Sequence, residues 1–310
     1  MEETIEIMNF LEKKQTLEHK LKALIYGAVE VRETEANKYI YVHYREDGIA
    51  LTKYVGEYSD NLYNLILNNS IEAKKIKKEI REINKKLKEL NYIDTELTDV
   101  VKNNIDFAKK HLVSTIYKQA ILEGVATTFA DTESIIEGGK VNNMTSEDVL
   151  KIINLKHAWE FILNENVILS STNFALLCQI NKFILEGFYY NAGKIRNVPV
   201  EIGGTKWIPN LPIETVIKEE LEMIFNKEEE ILDKAINLLL YTMKKQIFID
   251  GNKRTSIIFT NHFLISKGKG IIAIPADLSE EYKGLLISYY EGANEDKIKK
   301  FLKEKCYIGL

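Results

Sequence analysis

The 310-residue chain carries 42 Lys and Arg against 46 Asp and Glu, a formal charge of −4, and 45% of its residues are hydrophobic. So near-neutral a balance gives no global pull toward nucleic acid or an anionic membrane, and the apolar content suffices for one large core or two ordinary ones. Cys178 and Cys306 read as reduced, buried thiols, which suits a cytoplasmic protein; the acidic start leads into no long apolar run, so neither a signal peptide nor a membrane span is expected.

Residues 1–30 place Ile7, Phe10, Leu11, Leu17, Leu21 and Leu24 at helical spacing, a helix or pair of helices. Lys38 to Arg45 is then rich in aromatic and β-branched residues; Glu46-Asp47-Gly48 turns, and Ile49 to Val55 returns, which predicts a hairpin. Its tyrosines, with Lys38, Arg45 and Lys53 nearby, can pack a small sheet, the commoner outcome, or stack on bases. Residues 71–90 repeat Ala73, Ile76, Ile80, Ile83, Leu87 and Leu90 at spacings of three and four, the seam of a helical hairpin or coiled coil. The opposite face, from Lys74 to Lys88, is basic: a solvated face, or one that steers a polyanion. The seam is too short to specify a dimer, so a homodimer stays open. Asn91-Tyr92-Ile93-Asp94 breaks the pattern, dividing the chain into a region 1–94 and a domain 95–310.

An amphipathic helix is expected from Thr95 to Val125, and a second helix ends at Glu137 before Gly138-Gly139. Thr145 to Asp148 caps the next helix, which runs to Ile162; Ser170 to Thr172 caps another, ending near Gly187. Val198, Val200 and Ile202 alternate, Gly203-Gly204 turns, and Thr205 to Ile208 returns, a second hairpin signal. Apolar helices from Ala235 to Lys244 and from Thr255 to Ser266 flank Gln246-Ile-Phe-Ile-Asp-Gly-Asn-Lys-Arg254. A short extended run, Ile271 to Pro275, and closing helices, Tyr282–Tyr290 and Asp296–Leu302, complete the chain.

Residues 250–254 open a helix whose first amides have no intrahelical partners and carry the positive end of its dipole. Gly251 admits close approach to the backbone, Lys253 and Arg254 add charge and fixed donors, and Asp250 suits Mg²⁺ beside phosphates. His262, two turns farther along, reads as a packing residue.

The stretch Gln246 to Arg254 resembles the motif of the Fic/Doc (Fido) family, His-x-Phe-x-(Asp/Glu)-Gly-Asn-(Gly/Lys)-Arg. The resemblance implies a mainly α, Fic-type helical fold with a small β-hairpin flap, here preceded by an N-terminal α+β region. It further implies transfer of AMP from ATP, with Mg²⁺, to a protein hydroxyl. Gln246 and Arg254 take the catalytic places, Gly251, Asn252, Lys253 and Arg254 hold nucleotide, and Asp250 holds metal. Val200, Ile202, Gly203 and Gly204 match the flap that positions the protein substrate, and Asn191 to Arg196 is similar to the family's Ala-Gly-Lys-x-Arg segment. Glu133 to Gly138 is partly similar to the inhibitory helix, with Glu137 and Ser134 as its regulatory residues.

Two departures bear on activity. Gln246 stands where the family has its base histidine, and an amide cannot take a proton near neutrality. Ile257 stands where AMP-transferring members have a second arginine, and Lys253-Arg254-Thr255 is closer to the phosphate-transferring Doc branch. Three outcomes follow: an atypical or slow AMP transferase, a Doc-like phosphotransferase, or a pseudoenzyme that binds nucleotide and a partner, nucleic acid included, through its N-terminal region.

Overall fold

The computed structural model describes residues 2–34, 37–46, 49–90, 92 and 97–310, without the side chains of 2–5, 45, 46 and 49. The expected turn residues Asp47 and Gly48, the Arg45 side chain, and Asn91, Ile93 and Asp94 of the break therefore lie outside the described residues. Backbone contacts divide the chain into residues 1–93 and 94–310.

In the first unit, α1 (Glu2–Ala23) packs on α2 (Asp60–Glu89), and between them in sequence lie β1 (Ala28–Glu33), β2 (Lys38–Glu46) and β3 (Ile49–Glu57). The three strands form an antiparallel sheet in chain order, one strand more than the expected hairpin. Strand alternation sends Ile40 and Val42 into a small core with Ile66 of α2. Their neighbours Tyr39 and Tyr41 turn to the other face, where both contact Tyr54 and Arg32 lies over the Tyr41 ring. Some of the cations here are paired: Arg32 with Glu30, Lys38 with Glu33, and Lys78 and Lys85 with glutamates one turn on. Helix α2 starts at a Ser59 cap that accepts from the Leu62 amide, and it buries Ala73, Ile76, Ile83 and Leu87. It begins eleven residues before the expected seam, because the cap rather than the seam sets its start.

The second unit is helical. It contains α3 (Asp99–Lys110), α4 (Leu112–Leu122), α5 (Phe129–Ile136), α6 (Ser146–Ile162), the short turn α7 (Glu165–Ile168), α8 (Phe174–Ile184) and α9 (Glu214–Asn226). After these come α10 (Ile231–Lys245), α11 (Asn252–Ser266), α12 (Ser279–Tyr290) and α13 (Asp296–Phe301). The helix expected across 95–125 is two, separated at His111, whose amide closes α3 onto Phe107 and Ala108.

Helix α11 is the axis of this unit. Every residue from Arg254 to Ile265 is buried, because α3, α6, α8 and α10 all pack against it, and a helix enclosed on all sides shows no polar face. Several of its interior polar side chains find hydrogen-bond partners, although the buried Thr260 hydroxyl does not. Asn261 donates to the Ile257 and Ile272 carbonyls and accepts from the Ile272 amide. That fixes β4 (Ile271–Ile272), which pairs antiparallel with β5 (Tyr307–Ile308). His262 is fully enclosed: its Nε2 faces the Val167 carbonyl at 2.9 Å and its Nδ1 the Thr172 hydroxyl at 2.8 Å. A carbonyl only accepts, so Nε2 carries the proton and Thr172 donates to Nδ1. Burial pulls its pKa down to about 4, so this histidine is a neutral packing residue. Among the described residues no helix is long and apolar enough to cross a membrane.

Candidate nucleotide site

The loop joining α10 to α11 begins at Gln246, which leaves α10 in the left-handed region at φ 46°. For a residue with a Cβ this costs about 1–2 kcal/mol, and the surroundings hold it there. The Gln246 side-chain amide donates to the Met243 carbonyl at 2.6 Å, and its backbone carbonyl accepts from Arg196 Nε at 2.6 Å. The side chain also hydrogen-bonds Tyr290, whose phenol burial holds well above its usual pKa and so keeps protonated.

Ile247 and Phe248 then plunge into the core, leaving at most 1% of either exposed; full burial of a Phe side chain stabilises by roughly 1.5–3 kcal/mol. Asn252 closes the loop on itself: its side-chain oxygen accepts from the Phe248 amide at 2.9 Å and its nitrogen donates to the Phe248 carbonyl at 2.8 Å. Asn181 of α8 braces the other flank, donating to the Asp250 carbonyl and accepting from the Gly193 amide. Gly251 sits at φ 72°, and a Cβ there would stand 3.0 Å from Ile184. It donates its amide to the Asp250 carboxylate at 2.6 Å, so Gly251 contributes its conformation, and the amides of Asn252 and Lys253 are the donors left for an anion. Helix α11 starts there with no side-chain cap.

The basic pair divides. Lys253 is partly exposed and lines a cavity of about 280 Å³ with Gln246, Asp250, Gly251 and the loop tip 200–203. Arg254 is 6% exposed and lies behind it, 3.4 Å from Asp250 and 3.4 Å from Glu123. Glu123 also reaches Lys253 at 3.4 Å. Both contacts are long, and neither Glu123 Oε1 nor Arg254 Nε has a well-aligned hydrogen bond.

The acid set against the motif is therefore Glu123, at the end of α4, whereas the sequence pointed to Glu137. Glu137 is exposed at the end of α5, and Ser134 bonds weakly to the Lys140 carbonyl. Helix α4 is brought to α11 by Gln119, which accepts from the Trp159 indole and donates to the Arg254 carbonyl at 3.0 Å. Ile257, one turn into α11, is buried against Gln119 and Leu122 of α4. Gln119-Ala-Ile-Leu-Glu123-Gly124 repeats the ending of Glu133-Ser-Ile-Ile-Glu137-Gly138, and that duplication is the signal available in the sequence.

Arg196 is the second residue whose weight the sequence understated. It is 2% exposed, and its guanidinium donates to the carbonyls of Gln246, Val198, Pro209 and Asn210. Burial lowers its pKa from the usual guanidinium value. Segment 198–208 reverses at Gly203-Gly204 as expected, with the Thr205 amide reaching the Ile202 carbonyl. Its two arms do not pair as strands; both are held at their roots by Arg196 rather than to each other. Trp207 stacks on Tyr290 with centroids 5.4 Å apart, and Gly204 packs on Ile287. These contacts keep Val200, Ile202 and Gly203 at the cavity.

A half-exposed carboxylate, uncapped helix amides and a lysine at one cavity suit a phosphate chain carrying a divalent cation. Among the described residues no three His, Cys, Asp or Glu converge as a protein-only metal site, so any cation here needs oxygens from the phosphates as well. That is the ordinary way Mg²⁺ binds beside nucleotides.

Residues 171–264, the segment from the start of α8 through the loop and α11, match the family model described as Fic/DOC family. The chain carries a Fic/DOC family domain. Solved Fic structures share its fold. Fic-1 (aa134 - 508) from C. elegans is 14% identical, with a TM-score of 0.53 over 78% of this chain and 79% of that one. A Fic domain containing signaling protein from Bacteroides thetaiotaomicron VPI-5482 is 18% identical, with a TM-score of 0.53 over 68% of this chain and 86% of that one. A Fic family protein from Desulfovibrio desulfuricans G20 is 15% identical, with a TM-score of 0.52 over 67% and 72%. No curated protein matches the chain. The Fic domain thus has the mainly helical architecture the motif implied, and its loop region 198–208 stands at the mouth of the motif cavity.

Proposed function

We propose that the Fic domain binds ATP with Mg²⁺ and transfers AMP to a hydroxyl of a protein substrate, slowly. One observation carries the reading: the uncapped first turn of α11 opens, with Lys253 and Asp250, onto a cavity whose other wall is Gln246 and the loop tip 200–203. The amides of Asn252 and Lys253 and the Lys253 ammonium hold the phosphates. Asp250 would hold Mg²⁺, which when bound neutralises charge on the phosphate oxygens.

Gln246 sets the rate. Its side-chain nitrogen is committed to Met243, so its oxygen is left to accept from an incoming hydroxyl and orient it, without taking the proton. Loss of a general base costs roughly 10²–10⁴-fold, while positioning and electrostatic stabilisation persist. The arms of 198–208, unpaired with each other, leave backbone for an acceptor segment to bind. Glu123 acts as a brake, because its carboxylate stands where phosphate oxygens would meet Lys253 and Arg254.

Phosphate transfer is the second reading, favoured by Ile257. No arginine follows one turn after Arg254, and the position is a dry contact with α4. ATP labelled separately at the α and γ phosphates, incubated with protein and cell extract, separates the two. Label moving from the α position supports AMP transfer, and label moving from the γ position supports phosphate transfer. No transfer from either, with ATP still bound, makes the domain a nucleotide-binding module.

A further inference from the structure

The second unit has a cavity larger than the motif's, about 540 Å³ against 280 Å³, and it lies within the roughly 300–1,000 Å³ typical of small-molecule sites. It sits at the far end of the α10–α11 pair, where the start of α10 and the end of α11 meet the approach to α8. From Asn252 to Phe263 the rise along α11 is ~16 Å at 1.5 Å per residue, so this is a place apart from the nucleotide loop.

Its lining has a definite chemistry. Phe225 and Phe263 lie with ring centroids 5.6 Å apart and give it an aromatic wall. Among the described residues, Lys234 and Lys267 are the charged ones that line it and no acid does; the neighbouring Asp233 is taken by Lys303. Lys234 places one ammonium proton on the Phe225 carbonyl at 2.6 Å, which pins the charge to the aromatic wall and leaves two protons to donate. Three of the lining hydroxyls behave oppositely. Ser170 donates to the Val167 carbonyl, Ser266 to the Phe263 carbonyl and Thr172 to His262. Each has spent its proton inward and has only lone pairs to offer the cavity.

We infer that this cavity binds a small aromatic anion, a carboxylate or phosphate ester whose ring also bears a hydroxyl or amino donor. The ring lies against Phe225 and Phe263, the anion meets Lys234 and Lys267, and the donor meets the shelf of Ser170, Thr172 and Ser266. The site takes no part in the nucleotide chemistry proposed above and stands whether or not that reading holds.

The test is calorimetric titration of the full-length protein with 4-hydroxybenzoate, alongside its neutral analogue 4-hydroxybenzyl alcohol. Saturable binding of the acid is expected, with the alcohol at least about tenfold weaker, since hydrogen bonds to charged groups contribute roughly 1.5–3 kcal/mol. Lys267→Gln, an exposed change that leaves the core untouched, and Lys234→Gln should each weaken the acid by about tenfold. Lys253→Gln, at the nucleotide loop, should leave it unchanged. No heat from the acid at millimolar concentration overturns the inference, as does equal binding of the alcohol. So does an affinity that falls with Lys253→Gln and not with the other two changes.

Discussion

Glu123 Oε2 lies 3.4 Å from Arg254 Nε, and the same carboxylate reaches Lys253 at 3.4 Å through its other oxygen. One acid from α4 thus faces both cations of the α11 start. On the proposed function a phosphate oxygen needs those partners too, so carboxylate and nucleotide would compete. Glu123→Gly is expected to raise Mg·ATP affinity by about 5–150-fold, the span of a 1–3 kcal/mol coupling. Without nucleotide the same variant should melt at a lower temperature, because a buried guanidinium loses one of its two neighbouring carboxylates. Titration calorimetry and melting with and without Mg·ATP check both halves; unchanged affinity in a folded variant removes Glu123 as the brake.

Gln246→His restores a proton acceptor at the end of α10. Histidine is among the residues that tolerate the left-handed conformation required there. In the Glu123→Gly background, transfer of α-labelled AMP should rise by roughly 10²–10⁴-fold. A rate no higher than that of the Glu123→Gly parent, with ATP bound equally well, would rule against the AMP-transfer geometry.

Arg196→Met removes donors from four backbone carbonyls at once. With roughly 1.5–3 kcal/mol for each hydrogen bond to a charged group and partial rescue by water, a net loss of about 3 kcal/mol is expected. If Arg196 positions the 198–210 segment, the KM for the protein acceptor should rise while Mg·ATP affinity in the folded variant holds. A parallel loss of both would make it a scaffold residue only.

His262 gives the fold an acid limit. Its pKa is about 4 in the folded chain against an ordinary 6.5, so between those values the unfolded chain binds a proton that the folded chain refuses. Its contribution is present in full above pH 6.5 and falls as the pH drops toward 4, by about 3 kcal/mol in all at 1.36 kcal/mol per unit. Melting followed from pH 7.5 to 4.5 should decline more steeply for the native protein than for His262→Asn, and equal slopes would contradict the assignment.

The loop from Gln246 to Arg254 was legible because its parts are local: a Phe anchor, an Asp-Gly turn and two cations between helical runs. Helices were legible where a cap or a seam was strong, as at Thr145 in the second unit and along α2 in the first. Choosing between Glu123 and Glu137 was another matter. Both end an Ile-(Leu/Ile)-Glu-Gly run, and what separates them is that Gln119, one turn before Glu123, bonds to a carbonyl of α11. That is a long-range contact no local pattern encodes. Strand β1 escaped for the opposite reason: its six residues are short and mostly exposed, and only pairing with β2 defines them. The second cavity draws its lining from separate stretches of chain, and none of them carries a motif.

Arg196 also limits how segment 198–210 can move. Because a single guanidinium grips the beginning and the end of that loop together with the carbonyl of Gln246, the loop cannot swing out as a gate without uncoupling the strained residue behind it. The crest is held as well, with Gly204 against Ile287 and the Thr205 hydroxyl on Glu291, so this wall of the cavity is fixed at root and tip alike. Under the function proposed above, an acceptor would then have to conform to a wall whose course is set before it arrives.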